Sequence, residues 1–187
     1  MKQTMIMLTF MFSSVTAVAD GKLPSMPWKG KAHTIPGRIE AEHYDEGPAG
    51  VAYHDVEEKN FGEPYRKATQ VDIEKRDDAS NGYGIGWTRK GEWLKYTVRV
   101  TKDGKYSVKI PVASNKQGGI FHFEIDGKDV SGPIQVPDTR GWDKLKMIQH
   151  KGLSLKKGVQ TIKVLMDEQG RSGSIGDIDY FEFQLRK

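Results

Sequence analysis

Two tryptophans stand where the chain passes from strand to loop. Trp87 follows the run Gly82-Tyr83-Gly84-Ile85-Gly86, and Trp142 follows Asp138-Thr139-Arg140-Gly141. A large ring at a loop end is poor core material but a good flat platform. A pyranose presents C–H bonds on its faces, and these pack on an aromatic ring with little demand for exact hydrogen-bond geometry. Two such rings can sandwich one sugar. The competing reading is that either ring simply closes the end of the fold. Glycines beside both tryptophans favour the open arrangement, because they clear space next to the ring.

The second group with chemistry in it is acidic. Glu40 and Glu42 alternate with Ile39 and Ala41, so both carboxylates face one way on a short strand. Near the C-terminus Asp177 and Asp179 fall in register with Phe181, Phe183 and Leu185. Asp179 therefore heads an apolar row, where an unpaired carboxylate is costly. Two partners answer that cost: a salt bridge to Arg38 or Arg66, or a calcium ion gathered between the first and last strands, a hard cation that takes oxygen ligands.

Enzyme signatures are mostly missing. The five histidines (His33, His43, His54, His122 and His150) are scattered and form no His-Glu-x-x-His, which argues against a zinc hydrolase. Gly170-Arg171-Ser172-Gly173-Ser174 is not the Gly-x-Ser-x-Gly of a serine hydrolase. The glycine run at 82–86 has no helix after it and is not a nucleotide loop. A glycosidase needs two facing carboxylates, and no spacing here points to such a pair.

These residues need a scaffold, and the pattern supplies strands. Leu94, Tyr96, Val98 and Val100 alternate with polar residues; so do Tyr106, Val108, Ile110 and Val112 after Lys102-Asp103-Gly104. The spacing predicts a half-buried antiparallel hairpin from these two runs. Phe121, Phe123 and Ile125 alternate and end at Asp126-Gly127, a strong turn pair. Further strands are expected near 130–136, 145–150, 159–166 and 177–185. No segment after 39 keeps a helical period. Many short strands at this spacing imply an all-β, two-sheet antiparallel sandwich. Trp93 is out of phase with Leu94 and Tyr96 and is expected on the other sheet face or an edge. Trp28 falls in a lead-in and carries no signal.

Length and charge fit that picture. The 187 residues suffice for one domain with a core. Lys2, the apolar run Met5 to Phe12 and the small residues Ala17-Val18-Ala19 form the pattern of a secretory signal peptide over 1–19. Residues 20–36, with Pro24, Pro27 and Pro36, are expected to lead into a domain at 37–187. Without residues 1–19 the chain has 28 basic against 25 acidic side chains, a dispersed excess of about +3. That does not suit nucleic acid, which requires a clustered basic face. The chain has no cysteine, so an exported protein here has no disulfide to hold it. Secretion or periplasmic residence, no membrane span after cleavage and a monomeric state are the expectations.

Taken in order, Ile39-Glu40-Ala41-Glu42, Tyr65-Arg66, Val71-Asp72-Ile73-Glu74, Gly86-Trp87-Thr88, Gly91-Glu92-Trp93-Leu94-Lys95-Tyr96, Val112-Ala113-Ser114, Gly141-Trp142 and Ile178-Asp179-Tyr180-Phe181 resemble the family 6 carbohydrate-binding modules. The resemblance runs from about Pro36 to the C-terminus, and the variant is similar to modules found beside agarase-type hydrolases. It implies a galactose-binding-domain-like jelly roll that binds glycans without cleaving them, often at a chain end, and that holds a structural calcium. By the same resemblance the two clasping rings are Trp87 and Trp142, with Asp177 and Glu74 as polar partners of the sugar. Glu40, Glu42 and Asp179 are implied as calcium ligands, with carbonyls near Tyr65-Arg66 completing the shell. The alternatives are a small secreted polysaccharide-degrading enzyme of sandwich fold, and an envelope adhesion protein that contacts another protein.

Three positions depart from the family pattern. Arg140 stands where the first glycine of Thr-Gly-Gly-Trp is usual. Asp177 replaces an asparagine, and an ionised aspartate accepts hydrogen bonds without donating them. Pro111 stands where an arginine is common. They bear on which ligand is taken rather than on the fold.

Overall fold

A computed structural model of the chain describes residues 25–186. The signal-peptide pattern at 1–19 lies outside the described residues, as do 20–24. Among the described residues no helix is long and apolar enough to cross a membrane. The helical content of the described residues is two 3₁₀ turns, Trp28–Gly30 and Pro64–Arg66.

Two sheets face each other. One runs β1 (His33–Ile35), β6 (Trp93–Val100), β12 (Gly158–Glu168), β8 (Ile120–Ile125) and β10 (Ile134–Gln135). Within it β3 (Tyr53–His54) also pairs with β6, and β9 (Lys128–Asp129) with β8. The other runs β2 (Gly37–Glu40), β14 (Tyr180–Leu185), β7 (Gly104–Ser114), β13 (Asp177–Ile178), β5 (Tyr83–Ile85) and β4 (Ile73–Lys75), with β11 (Gly141–Leu155) paired to β7. The fold is the expected all-β sandwich. Its core is the inward row of each sheet. Tyr96 and Phe123 approach Phe181 edge-on, with ring centroids 5.6 and 5.5 Å apart, a favoured aromatic geometry.

The predicted hairpin of residues 94–100 with 106–112 does not form. β6 pairs with β1, β3 and β12, while β7 pairs with β11, β13 and β14. The chain crosses from one sheet to the other at Lys102-Asp103. Alternation shows that each strand buries one face; it does not show which neighbour takes its backbone hydrogen bonds.

Other expectations fare differently. Asp126 and Gly127, at φ 53° and 70°, make the tight turn that joins β8 to β9. The strand expected over 130–136 shrinks to β10. Asp129 Oδ1 accepts the Ser131 and Gly132 N–H groups, and Pro133 has no N–H to offer. The strand expected near 145–150 grows into the fifteen-residue β11, because its long partner β7 supplies hydrogen bonds over most of that length. The lead-in is built into the fold: β1 pairs in parallel with β6, and the Arg66 guanidinium lies 4.3 Å from the Trp28 ring centre.

Candidate functional site

Trp87 and Trp142 line one cleft of about 400 Å³, together with Glu74, Arg89, Asp177 and the loop Ser172-Gly173-Ser174. Both rings are open to solvent, Trp87 at 43% and Trp142 at 36%. Their positions come from the backbone. Trp87 itself sits at φ 49°, a left-handed conformation that a bulky residue adopts only when its surroundings impose it. On one side the Gly86 N–H donates to the Asp72 carbonyl at 3.0 Å. On the other, the Thr88 hydroxyl donates to the Gly176 carbonyl at 2.7 Å and accepts from the Gly176 N–H at 3.0 Å. Pinned before and after, Trp87 has nowhere to turn but outward.

Trp142 opens β11, and a similar device precedes it. The Thr139 hydroxyl accepts from the Ser114 N–H of β7 at 2.9 Å, and Asp138 Oδ1 accepts the Arg140 N–H at 2.7 Å. Arg140 takes φ 66°. That left-handed geometry explains why glycine suits the position. It holds here with an arginine whose side chain is exposed on the rim.

The floor of the cleft is ionic. Glu74 on β4 and Asp177 on β13 converge on Arg76, which is 6% exposed. Arg76 Nη1 donates to both carboxylates, reaching Asp177 Oδ2 at 2.9 Å. Nε and Nη2 donate to Asp78 at 2.9 and 3.0 Å, and Nη2 also donates to the Trp142 carbonyl at 2.6 Å. Burial pushes the Asp177 carboxyl up, and Glu74 beside it adds to the rise, while Arg76 opposes both. Gly86 makes the meeting possible: a Cβ there would stand 3.2 Å from Asp177 Oδ1 and 3.4 Å from Glu74 Cδ.

Sequence reasoning missed Arg76. The available signal was the spacing Glu74-x-Arg76, which puts both side chains on one face of a strand. Arg89 and the two serines of the 172–174 loop were missed as well.

Glu40, Glu42 and Asp179 are drawn together around Ser80 and Asn81, in the turn between β4 and β5. Asp179 accepts the Ser80 N–H at 3.1 and 3.2 Å, Glu40 accepts the Ser80 hydroxyl at 2.7 Å, and Glu42 accepts from Asn81 at 2.5 Å. Glu42 is fully buried, and its Oε2 has no hydrogen-bond partner among the described residues. Burial pushes the Glu42 carboxyl up to about 7, with Glu40 and Asp179 adding to the rise. The orphaned buried oxygen of Glu42 suits a hard cation, although Glu40, Glu42 and Asp179 do not bring one oxygen each within 4.8 Å of one another. Neither arginine weighed as a partner of Asp179 bonds to it. Arg38 stacks on Tyr180, and Arg66 donates to the carbonyls of Glu42, Tyr44 and Asp45. The Arg66 carbonyl, named for the same shell, accepts from Thr69. A separate acidic group, Asp55, Glu57 and Glu92, brings carboxylate oxygens within 4.8 Å of one another. Arg89 pairs with Glu57 there.

Solved structures similar to this one include a β-1,3-glucan binding module from Bacillus halodurans, at a TM-score of 0.62 and 24% identity. That alignment covers 82% of this chain and 99% of the other. A module of Cellvibrio mixtus lichenase 5A, solved with cellotriose, aligns at a TM-score of 0.59 and 22% identity over 81% of this chain and 98% of that one. These likenesses show the fold. In sequence, the chain is 30% identical over 90 residues to the clotting factor G alpha subunit of Tachypleus tridentatus, covering 47% of this chain and 13% of that longer protein. The profile of the carbohydrate binding module (family 6) matches residues 62–185, a span that holds Glu74, Trp87, Trp142 and Asp177 alike. On that match, the chain belongs to carbohydrate-binding module family 6.

Proposed function

We propose that this protein is a non-catalytic glycan-binding module that grips a sugar of a polysaccharide or oligosaccharide, often at a chain end, between Trp87 and Trp142. The observation that carries the reading is the pair of solvent-open indole rings on one cleft with a polar floor. The rings take the apolar faces of a pyranose; Glu74 and Asp177 accept from its hydroxyls and fix its rotation.

Binding without cleavage is favoured by how the two carboxyls are held. A glycosidase sets its pair on either side of the scissile bond, about 5 Å or more apart, each free to act on it. Glu74 and Asp177 lie side by side on the floor and share one guanidinium nitrogen. We also propose a structural calcium held by Glu40, Glu42 and Asp179, supported by the orphaned Glu42 oxygen. Export by the 1–19 segment and a monomeric state belong to the same reading.

Isothermal titration against agaro-, xylo-, laminari- and cello-oligosaccharides tests the function. Saturable binding to at least one series, with no new reducing ends released, is the expected result. Silence from a folded sample across all four would count against this reading and favour a charged glycan or a protein partner.

A further inference from the structure

The floor of the tryptophan cleft divides one buried cation among three carboxyl groups. Arg76 Nη1 donates to one oxygen of Glu74 and one of Asp177, and Asp78 takes Nε and Nη2 of the same guanidinium. With one proton held between Glu74 and Asp177, two carboxylate charges still face a single positive one. Among the described residues, no donor reaches the second oxygen of either floor carboxyl, Glu74 Oε2 or Asp177 Oδ1. Asp177 Oδ1 lies towards Gly86, the residue before Trp87, where a Cβ would stand 3.2 Å from it.

The other charged side chain on the cleft wall does not reverse that sign. Arg89 is engaged by Glu57, which itself stands with Asp55 and Glu92 in an acidic group. Arg140 and Arg171 are near the cleft residues in sequence but do not line the cleft. Lys75 lies in an adjoining concavity, among Asp77, Asp78 and Asp143. The local field is therefore negative on a chain whose formal charge is +4.

That field selects among sugar substituents. A hydroxyl brings one O–H donor and no charge. A protonated amine brings three N–H donors and a positive charge, and charge-assisted hydrogen bonds are about twice as strong as neutral ones. Glu74 and Asp177 bond to one and the same nitrogen, so a single ammonium can reach both carboxyls. The walls act in the same direction. An indole face attracts a cation within about 6 Å of the ring centre, and Trp87 and Trp142 offer two such faces beside the floor. A uronate or sulfate meets repulsion in the same place.

We propose that the cleft selects an amino sugar, a glycan residue with a free protonated amine, whose ring packs on the tryptophans while its ammonium bridges Glu74 and Asp177. This rests on the reading of the Trp87–Trp142 cleft as a sugar site and adds the charge of the ligand to it.

The test is titration of the full chain with three β-1,4-linked trimers that differ only in the substituent on carbon 2: glucosamine trimer, cellotriose and N-acetylglucosamine trimer. Low salt and about pH 6 keep the amines charged. The glucosamine trimer is expected to bind at least tenfold more tightly than either of the others. Glu74→Gln and Asp177→Asn, both close in shape to the native side chains, are each expected to cut that advantage at least threefold. Trilysine, which carries amines without a sugar ring, is expected to bind at least tenfold more weakly than the glucosamine trimer. The amino-sugar class is overturned if cellotriose binds the wild type as tightly as the glucosamine trimer, if both variants keep the advantage in full, or if trilysine binds equally well. Binding of a neutral series alone overturns the amine and leaves the tryptophan cleft as a sugar site. Silence of the glucosamine trimer and of the agaro-, xylo-, laminari- and cello-series together overturns both.

Discussion

Arg76 donates a 2.6 Å hydrogen bond to the main-chain carbonyl of Trp142, sixty-six residues away in sequence. The same guanidinium donates to both carboxyl groups of the cleft floor. One buried side chain therefore sets the floor and anchors one wall.

Arg76→Met leaves Glu74 and Asp177 facing each other without a counter-charge. Breaking a buried ionic cluster by removing one partner costs about 3–5 kcal/mol. Urea unfolding at pH 7 is expected to show a loss at the lower end of that range, since Glu74 retains some contact with water. The triple variant Arg76→Met/Glu74→Gln/Asp177→Asn is expected to recover much of it. A loss that the triple variant retains in full would assign Arg76 a packing role instead.

Trp87→Ala and Trp142→Ala are each expected to weaken binding of the preferred oligosaccharide at least tenfold. Losing a central aromatic anchor costs about 2 kcal/mol or more. Both rings are solvent-open, so unfolding midpoints should move little. Titration calorimetry reads the first effect and thermal melting the second. Two variants of wild-type affinity would place the sugar elsewhere.

Calcium is expected to raise the melting temperature and a chelator to lower it. At a hundredfold over its Kd, a ligand that binds only the folded state stabilises by about 2.7 kcal/mol. Glu42→Gln should blunt this response, because it replaces an anionic ligand by a neutral amide. Melting curves indifferent to chelator, with no metal in elemental analysis, would contradict the assignment.

A pH effect is expected at His122 on β8, which is not among the residues lining the cleft. Burial works against its charged form, but hydrogen bonds to Asp167 and Glu124 outweigh burial and raise its pKa above 6.5. A histidine raised in the folded state adds stability that is fully present below pH 6.5 and is lost as pH rises through the folded value. Relative to His122→Gln, the wild type should be more stable at pH 6 than at pH 8. Parallel melts across that range measure it; a constant difference would show that the ring is held by shape alone.

The sequence was legible where side-chain type alone constrains the outcome. The alternating runs announce strands, Asp126-Gly127 announces a turn, and glycines beside Trp87 and Trp142 announce open rings. What stayed hidden depends on partners distant in the chain. β6 and β7 read as a hairpin because each buries one face, yet each finds its backbone partners in a different sheet. Arg76 reads as one more surface arginine until β4 and β13 bring Glu74 and Asp177 together on one of its nitrogens. The three acids around Ser80 come together only through the resemblance, and the serine and asparagine that gather them leave no mark of their own.

Among the described residues strand β11 pairs on one side only, with β7, and its outer rim offers main-chain groups to a passing strand. Exposed edges of this kind are where sheets recruit other chains and aggregate. Lys144, Lys146 and Lys151 are exposed along it, and its register with β7 shifts twice. Charge and irregularity of this sort discourage strand addition. The strand that presents Trp142 is therefore also an edge open to strand addition, and its lysines guard it. Replacing all three with valine or threonine should make the protein form fibrils on standing.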